Sequence, residues 1–320
     1  MASFDNGRSF TLANGTKMPT VGFGTAFGTW SGKEGEWQGF TPEDGHFAVN
    51  TALKVGYTHI DCALFYNSHP HVYTALSHEF MKGRKRSDFF ITSKVCHPDV
   101  PLSFSKLGRG FDWAMPIEMM KDRVIHDIEL CCFELGLGYL DLVLIHWPGN
   151  FVGGDSESNR KKRAVVWSAF EELYELGKVK AIGVSNFAVK HLETFLKDVK
   201  IKPMVNQVEM NPYMFQTDIY ELCKAHSIQV VAWAPLGNGS IVLQDPVITK
   251  IATDVKKNVG QVILRWLIQQ GCIVLPKSSN ESRMASNLDL FDFELTTSQM
   301  VEISALNKMK STVTSSEDIP

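Results

Sequence analysis

Apolar residues along this chain alternate between short continuous runs and longer stretches that repeat at every third and fourth position. The short runs are rich in Val and Ile and lack polar alternation, as strands covered on both faces require. They fall at Thr20–Thr25, Thr58–Cys62, Phe89–Val95, Leu140–His146, Lys180–Ser185, Met204–Met210, Gln229–Trp233 and Cys272–Pro276. Helical periodicity fills the gaps, at Phe47–Val55, Lys121–Leu135, Val165–Leu176, Val189–Val199, Thr217–Ala225, Val259–Ile268 and Glu281–Leu288, with a weaker pattern around Tyr73–Phe80. Gly56, Gly177 and Gly271 stand where C-terminal caps belong. Ahead of the series, Ser9–Leu12 and Thr16–Met18 flank Ala13-Asn14-Gly15 as a hairpin.

Eight strand–helix units without a linker-like shift in composition predict a single-domain α/β chain over 1–320, a (β/α)8 TIM barrel with an N-terminal β-hairpin. A doubly wound open sheet has the same rhythm and is the rival fold. Gly28–Gly45 and Cys96–Pro116 read as inserted loops, and residues 311–320 as a polar, flexible tail.

Composition narrows the setting. The chain is 44% hydrophobic and 21% charged, which supports a large core and excludes disorder. A net charge of −3 gives no sign of a nucleic-acid partner, and the basic runs Arg84–Arg86 and Arg160–Arg163 read as solvated helix edges. The six cysteines form no C-x-x-C pair and no zinc-finger spacing. No signal-peptide pattern opens the chain and no apolar run reaches spanning length, so a cytoplasmic protein without a membrane partner is expected. Oligomeric state is open between monomer and weak dimer.

Polar and ionisable groups close nearly every apolar strand. Asp61 ends the second, with Tyr66 five residues on; Lys94 is in the third, His146-Trp147-Pro148 end the fourth and Ser185-Asn186 the fifth. Gln207 lies near the end of the sixth, Trp233 ends the seventh, and Lys277-Ser278 follow the eighth. In a parallel barrel these ends share one rim, where active sites are built.

Taken together, the blocks Gly56–Asp61, Tyr66, Ile91–Lys94, Leu144–Pro148, Gly183–Phe187, Asn206–Glu209 and Pro276–Ser278 resemble the aldo-keto reductase family, in order and with compatible spacing from about Phe10 to about Ala305. The resemblance implies an NADPH-dependent reductase of aldehydes and ketones, with Asp61, Tyr66, Lys94 and His146 as its catalytic tetrad. Reduction needs a hydride on carbon and a proton on oxygen. An unperturbed tyrosine, with a pKa of about 10, donates poorly at neutral pH, so a buried ammonium that lowers its pKa is the expected help. Lys94 is that cation, Asp61 its carboxylate, and His146 the group that orients the carbonyl. The same resemblance assigns NADPH/NADP+ to Thr25, Ser185, Asn186, Gln207, Trp233, Leu236, Lys277, Ser278, Arg283 and Asn287. Of these, Lys277, Ser278 and Arg283 meet the 2′-phosphate, where an ammonium beside a guanidinium suits a dianion. Phe27, Trp30, Cys96 and Trp147 are candidates for the pocket of a small-molecule carbonyl substrate.

The chain departs from the family pattern at several places. Tyr66-Asn67-Ser68-His69 replaces Tyr-Gly-Asn-Glu, Cys96 stands where an aromatic is common, and Trp233 stands where a tyrosine usually stacks on the nicotinamide. Ala26 takes the place of a tryptophan, Ala234 of a serine and Ser286 of an acidic or amide residue. Gly22–Gly28 only mimics a dinucleotide fingerprint, because its spacing is wrong and no helix follows. Two rivals stand beside the reductase: a nucleotide-sensing subunit without turnover, and a metal-dependent barrel hydrolase gripping zinc through His69-Pro70-His71. No metal is expected on the reductase reading.

Overall fold

The computed structural model describes residues 8–31, 36–39, 42–98, 110–150, 156–239, 241–311 and 318–320, with backbone alone from 28 to 43. A hairpin of β1 (Ser9–Thr11) and β2 (Lys17–Pro19) pairs Phe10 with Met18. Phe10, Leu12 and Met18 are buried, and the Asn14 side chain donates to the carbonyl of Lys180 at 2.8 Å. The hairpin therefore lies against the N-terminal ends of the strands that follow.

Eight parallel strands come next: β3 (Phe23–Gly24), β6 (His59–Asp61), β7 (Phe90–Val95), β8 (Leu142–Ile145), β9 (Ile182–Ser185), β10 (Val205–Glu209), β11 (Gln229–Trp233) and β12 (Ile273–Leu275). Each pairs with its neighbour in sequence, from β3 to β12. The ring closes where Val274 N donates to Thr20 O and Gly22 N to Val274 O, both at 2.9 Å. A closed ring excludes the open doubly wound sheet. Gly183 is required at the β9–β10 contact, since a Cβ there would lie 2.7 Å from the carbonyl oxygen of Val205.

The helical layer comprises α1 (Pro42–Val55), α2 (His69–Met81), α3 (Ile117–Glu134), α4 (Ser156–Glu175), α5 (Val189–Asp198), α6 (Thr217–Ala225), α7 (Pro246–Asp254), α8 (Val259–Gln269), α9 (Glu281–Leu288) and α10 (Thr297–Ser304). Thr217–Ala225 and Glu281–Leu288 coincide with the sequence reading, while α2 runs from His69 to Met81 rather than around Tyr73–Phe80. Two helices were not anticipated: α7, capped by Asp245 on the amides of Val247 and Ile248, and α10, opened by a Thr296–Gln299 capping box. Among the described residues no helix is long and apolar enough to cross a membrane.

Other expectations need correction. Gly28–Gly45 is not a plain loop: β4 (Gly28–Ser31) and β5 (Glu36–Gly39) form an antiparallel hairpin with Trp30 opposite Trp37, and α1 begins at Pro42. Of Cys96–Pro116, residues 99–109 lie outside the described residues, whereas Phe111 and Trp113 beyond them are buried. Arg163 is no solvated edge; it is buried and donates to the carbonyls of Pro148 and Pro320, each at 3.0 Å. The tail read as flexible includes 312–317, outside the described residues, but Ile319 is buried and its carbonyl meets His191 Nε2 at 2.8 Å.

Candidate active site

Chain reversal after four barrel strands puts non-glycine residues into the left-handed region: Asn67 (φ 55°) after β6, Cys96 (62°) after β7, Asn186 (60°) after β9 and Ala234 (47°) after β11. Such strain is tolerated where the surrounding fold holds it, and these four lie at one rim. Between β6 and α2 a single 3-10 turn, Leu64–Tyr66, brings the phenol back over the barrel mouth.

Five of the residues singled out in the sequence meet at that mouth. Lys94 Nζ donates to Asp61 Oδ1 at 2.5 Å and to the carbonyl of Cys62 at 3.1 Å, and sits 4.7 Å from the centre of the Tyr66 ring. Gln207 Nε2 occupies the other Asp61 oxygen at 2.8 Å. Tyr66 Oη lies 3.3 Å from His146 Nε2. Asp61, Lys94 and His146 are all buried.

Burial and charge compete in this group. Burial pulls the Lys94 ammonium down, but Asp61 and then Tyr66 outweigh it, and its pKa stands above the ordinary lysine value. Burial raises Tyr66 above its ordinary value, while Lys94 draws it back. Lys94 does not lower the phenol outright, as expected from charge alone; desolvation is the larger effect, so Lys94 limits the rise instead of reversing it. His146 falls well below its ordinary value through burial first, then through His97 and Lys94. It is a neutral imidazole at physiological pH.

Beside the tetrad lies a closed set of amide and hydroxyl bonds. Asn186 Nδ2 donates to the His146 carbonyl at 2.9 Å and to Ser185 Oγ at 3.2 Å; Ser185 Oγ donates to the Gln207 carbonyl at 2.8 Å. Trp233 Nε1 donates to Asn186 Oδ1 at 3.0 Å, so the indole stands half-buried at the rim and not under it. Thr25 Oγ1 donates to the Asp61 carbonyl at 2.9 Å and meets Ser68 Oγ at 2.8 Å.

The cationic residues cluster after β12. Lys277 Nζ donates to the carbonyl of Ala26 at 2.8 Å, and Arg283 Nε lies 3.4 Å from Ser278 Oγ. Among the described residues neither cation has a carboxylate partner. Arg283 stands in the first turn of α9, whose N-cap Asn280 accepts from the Arg283 amide at 2.9 Å. Asn287 is buried further along the same helix, and half-buried Leu236 and Asn287 both approach Gly260.

The substrate-pocket candidates fare unevenly. Trp147 is buried near the mouth, 6.4 Å from the His97 ring. Phe27 packs on Phe23 in the core, ring centres 5.8 Å apart. The side chain of Trp30 lies outside the described residues. Cys96 is buried and its thiol is raised by burial, then by Asp127 of α3, which places it toward the helical layer. In its stead the next residue supplies the ring: His97 stacks on Phe65 at 3.6 Å and stands edge-on to His146 at 4.7 Å. Sequence reasoning missed His97; the positive φ that reverses Cys96 left no sign in the sequence. The His69-Pro70-His71 motif does not converge, because His69 is buried between Glu134 and Ser93 while His71 lies against Gly45 on α1.

A closed parallel barrel thus joins, at one rim, a buried Asp–Lys pair to a tyrosine and a neutral histidine, two groups able to carry a proton. The chain belongs to the aldo/keto reductase family, whose model matches residues 25–308. It is 40% identical to the glyoxal reductase of Bacillus subtilis, with 93% of this chain and 92% of that protein covered. It is 36% identical to aldose reductase C of Dictyostelium discoideum over 94% and 90% of the two chains. Among solved structures, the Bombyx mori aldo-keto reductase in complex with NADP superposes with a TM-score of 0.78 at 29% identity, over 97% of this chain and 95% of that one.

Proposed function

We propose that Tyr66 is the proton donor of an NADPH-dependent carbonyl reductase that converts aldehydes or ketones to alcohols. The observation that carries this reading is the bonded group Gln207–Asp61–Lys94 with Tyr66 and His146 at one barrel mouth. A donor must hold its proton until the carbonyl oxygen takes charge, and a phenol raised by burial does so. The ammonium alongside then stabilises the phenolate that is left, which makes the transfer less uphill. Among the described residues His146 Nδ1 is buried without a hydrogen-bond partner. A buried N–H left unpaired costs more than an unused lone pair, so the ring proton belongs on Nε2, beside the Tyr66 oxygen. There it donates to the carbonyl and orients it.

NADPH, when bound, supplies the hydride. Lys277 and Arg283, cationic and without carboxylate partners among the described residues, fit its 2′-phosphate, with Ser278 and the first amides of α9 beside them. Ser185, Asn186 and Gln207 would hold its carboxamide, Trp233 would stack on its nicotinamide and Asn287 would meet its adenine, with Thr25 and Leu236 completing the cofactor site. Trp147, with His97, walls the substrate. All six cysteines are free, which suits a reducing, cytoplasmic setting.

NADPH consumption measured against a panel of small aldehydes tests the reading. Turnover with NADPH well above that with NADH is expected. Stoichiometric NADPH binding without turnover on any carbonyl would instead favour the sensing subunit.

A further inference from the structure

Behind β7, on the side away from the barrel mouth, lies His69. It is the first residue of α2, wholly buried, three positions beyond Tyr66. Its Nδ1 faces Glu134 Oε2 at 2.8 Å and its Nε2 faces Ser93 Oγ at 3.0 Å, while Cys131 Sγ lies 3.5 Å from the same Ser93 oxygen. A carboxylate, an imidazole and a hydroxyl in line is the arrangement that activates a serine nucleophile in hydrolases. Here the serine is 0% exposed, so the line has no substrate to attack.

We propose that Glu134, His69 and Ser93 form a positioning clamp that sets the Tyr66 phenol against the Lys94 ammonium. The inference rests on the reading of Tyr66 as proton donor. Along β7 successive side chains point to opposite faces. Lys94 turns into the barrel toward Asp61, and Ser93 turns out toward α2 and the C-terminal end of α3, where Cys131 and Glu134 lie. The clamp thus grips β7 from behind at the residue next to Lys94. Its other grip is the start of α2, joined to Tyr66 only by Asn67, in the left-handed region, and Ser68. Ser68 in turn meets Thr25, which holds the Asp61 carbonyl. The segment that carries Tyr66 is therefore pinned to the element carrying Lys94 by one set of bonds and to that carrying Asp61 by the other. A charge-assisted bond between Glu134 and the imidazole makes the first of these the stiffer. Displacing a reacting group by about 1 Å costs roughly a hundredfold in rate, which is the sensitivity the clamp guards against.

The test is steady-state kinetics with solvent isotope effects on the full chain, using NADPH and whichever small aldehyde the parent reduces. Glu134→Ala and His69→Ala are expected to lower kcat by roughly ten- to a hundredfold while the NADPH dissociation constant stays within about threefold. The solvent isotope effect on kcat should rise, because proton transfer from a misplaced phenol becomes slower. Glu134→Gln, which keeps an oxygen on His69, should recover most of the kcat that Glu134→Ala loses. Ser93→Ala deletes one buried hydroxyl and little volume, so it serves if the histidine variant does not fold; a several-fold loss of kcat with a raised isotope effect is expected. A scaffold role alone would lower the melting temperature and leave the isotope effect where it was. Folded Glu134→Ala and Ser93→Ala proteins with parental kcat and isotope effect overturn the clamp. A parent without NADPH-dependent turnover overturns the functional reading beneath it.

Discussion

Lys94 has two roles in this account, and replacing it with methionine separates them. The ammonium lies 4.7 Å from the Tyr66 ring centre, so at an effective dielectric of about 20 its attraction for a phenolate is about 3.5 kcal/mol. That corresponds to roughly a 400-fold change in an acid equilibrium, and if half is expressed in the transition state, to roughly 20-fold in rate. The second role is structural. Lys94→Met leaves the buried Asp61 carboxylate with Gln207 Nε2 as its remaining side-chain donor. Removing one partner of a buried pair costs about 3–5 kcal/mol, or a melting temperature lower by about 4–7 °C in a chain of this size. Disorder of Asp61 adds to the kinetic loss, so kcat should fall by about 20- to 1000-fold in an NADPH consumption assay. The double variant Asp61→Asn/Lys94→Met removes the stranded charge, so it should regain most of the melting temperature and none of the rate. Lys94→Met turnover within threefold of the parent, or stability and rate returning together in the double variant, would refute the division of labour argued here.

Three further outcomes are expected. Arg283→Ala should weaken NADPH binding by roughly ten- to a hundredfold and leave NADH nearly unchanged, since one charge-assisted pair is worth about 1.5–3 kcal/mol; equal losses for both cofactors in titration would move the 2′-phosphate elsewhere. Trp233→Tyr should keep activity because stacking needs only a π-face, whereas Trp233→Ala should weaken NADPH binding and cut the quenching of tryptophan fluorescence; unchanged affinity and quenching would place the indole away from the cofactor. Stability should fall in acid. His59, His97 and His191 are held down by burial to about 4, against an ordinary value of 6.5. Below 6.5 the unfolded chain takes up protons that the folded chain refuses, so their contribution is whole above pH 6.5 and is lost as pH falls toward 4, about 3 kcal/mol for each ring. Urea midpoints should therefore drop steeply between pH 6 and pH 4, with a shallower drop in His59→Gln; midpoints flat across that range would contradict the burial argument.

The barrel was legible because its strands are buried on both faces and so read as unbroken apolar runs, as at Leu142–Ile145, wholly buried in the structure. The grouping of polar residues at the rim was legible because Asp61, Lys94 and His146 interrupt or end such runs, where an ionisable group needs a reason. Two unanticipated helices do carry start signals, the cap patterns Asp245-Pro246 and Thr296–Gln299, but the apolar repeat behind each is short. What the sequence could not show is the direction of side chains at chain reversals. Cys96 and His97 are neighbours, and a single left-handed residue decides which of them faces His146. Likewise the burial of His69 depends on Glu134, which is 65 positions away in the chain. Its spacing to His71 suggested a metal pair, because contacts between distant helices leave no local pattern.

The central claim is that Tyr66 gives the proton, and Tyr66→Phe tests it with the fewest side effects, since the ring and its contact with Lys94 are kept while the oxygen facing His146 is lost. Carbonyl reduction and NADPH binding should be measured on the same preparation. The account requires turnover to fall by roughly a hundredfold or more, as for loss of a general acid, with the NADPH dissociation constant within a few-fold of the parent. A phenylalanine variant that still reduces aldehydes at a rate within about tenfold of the parent would contradict it.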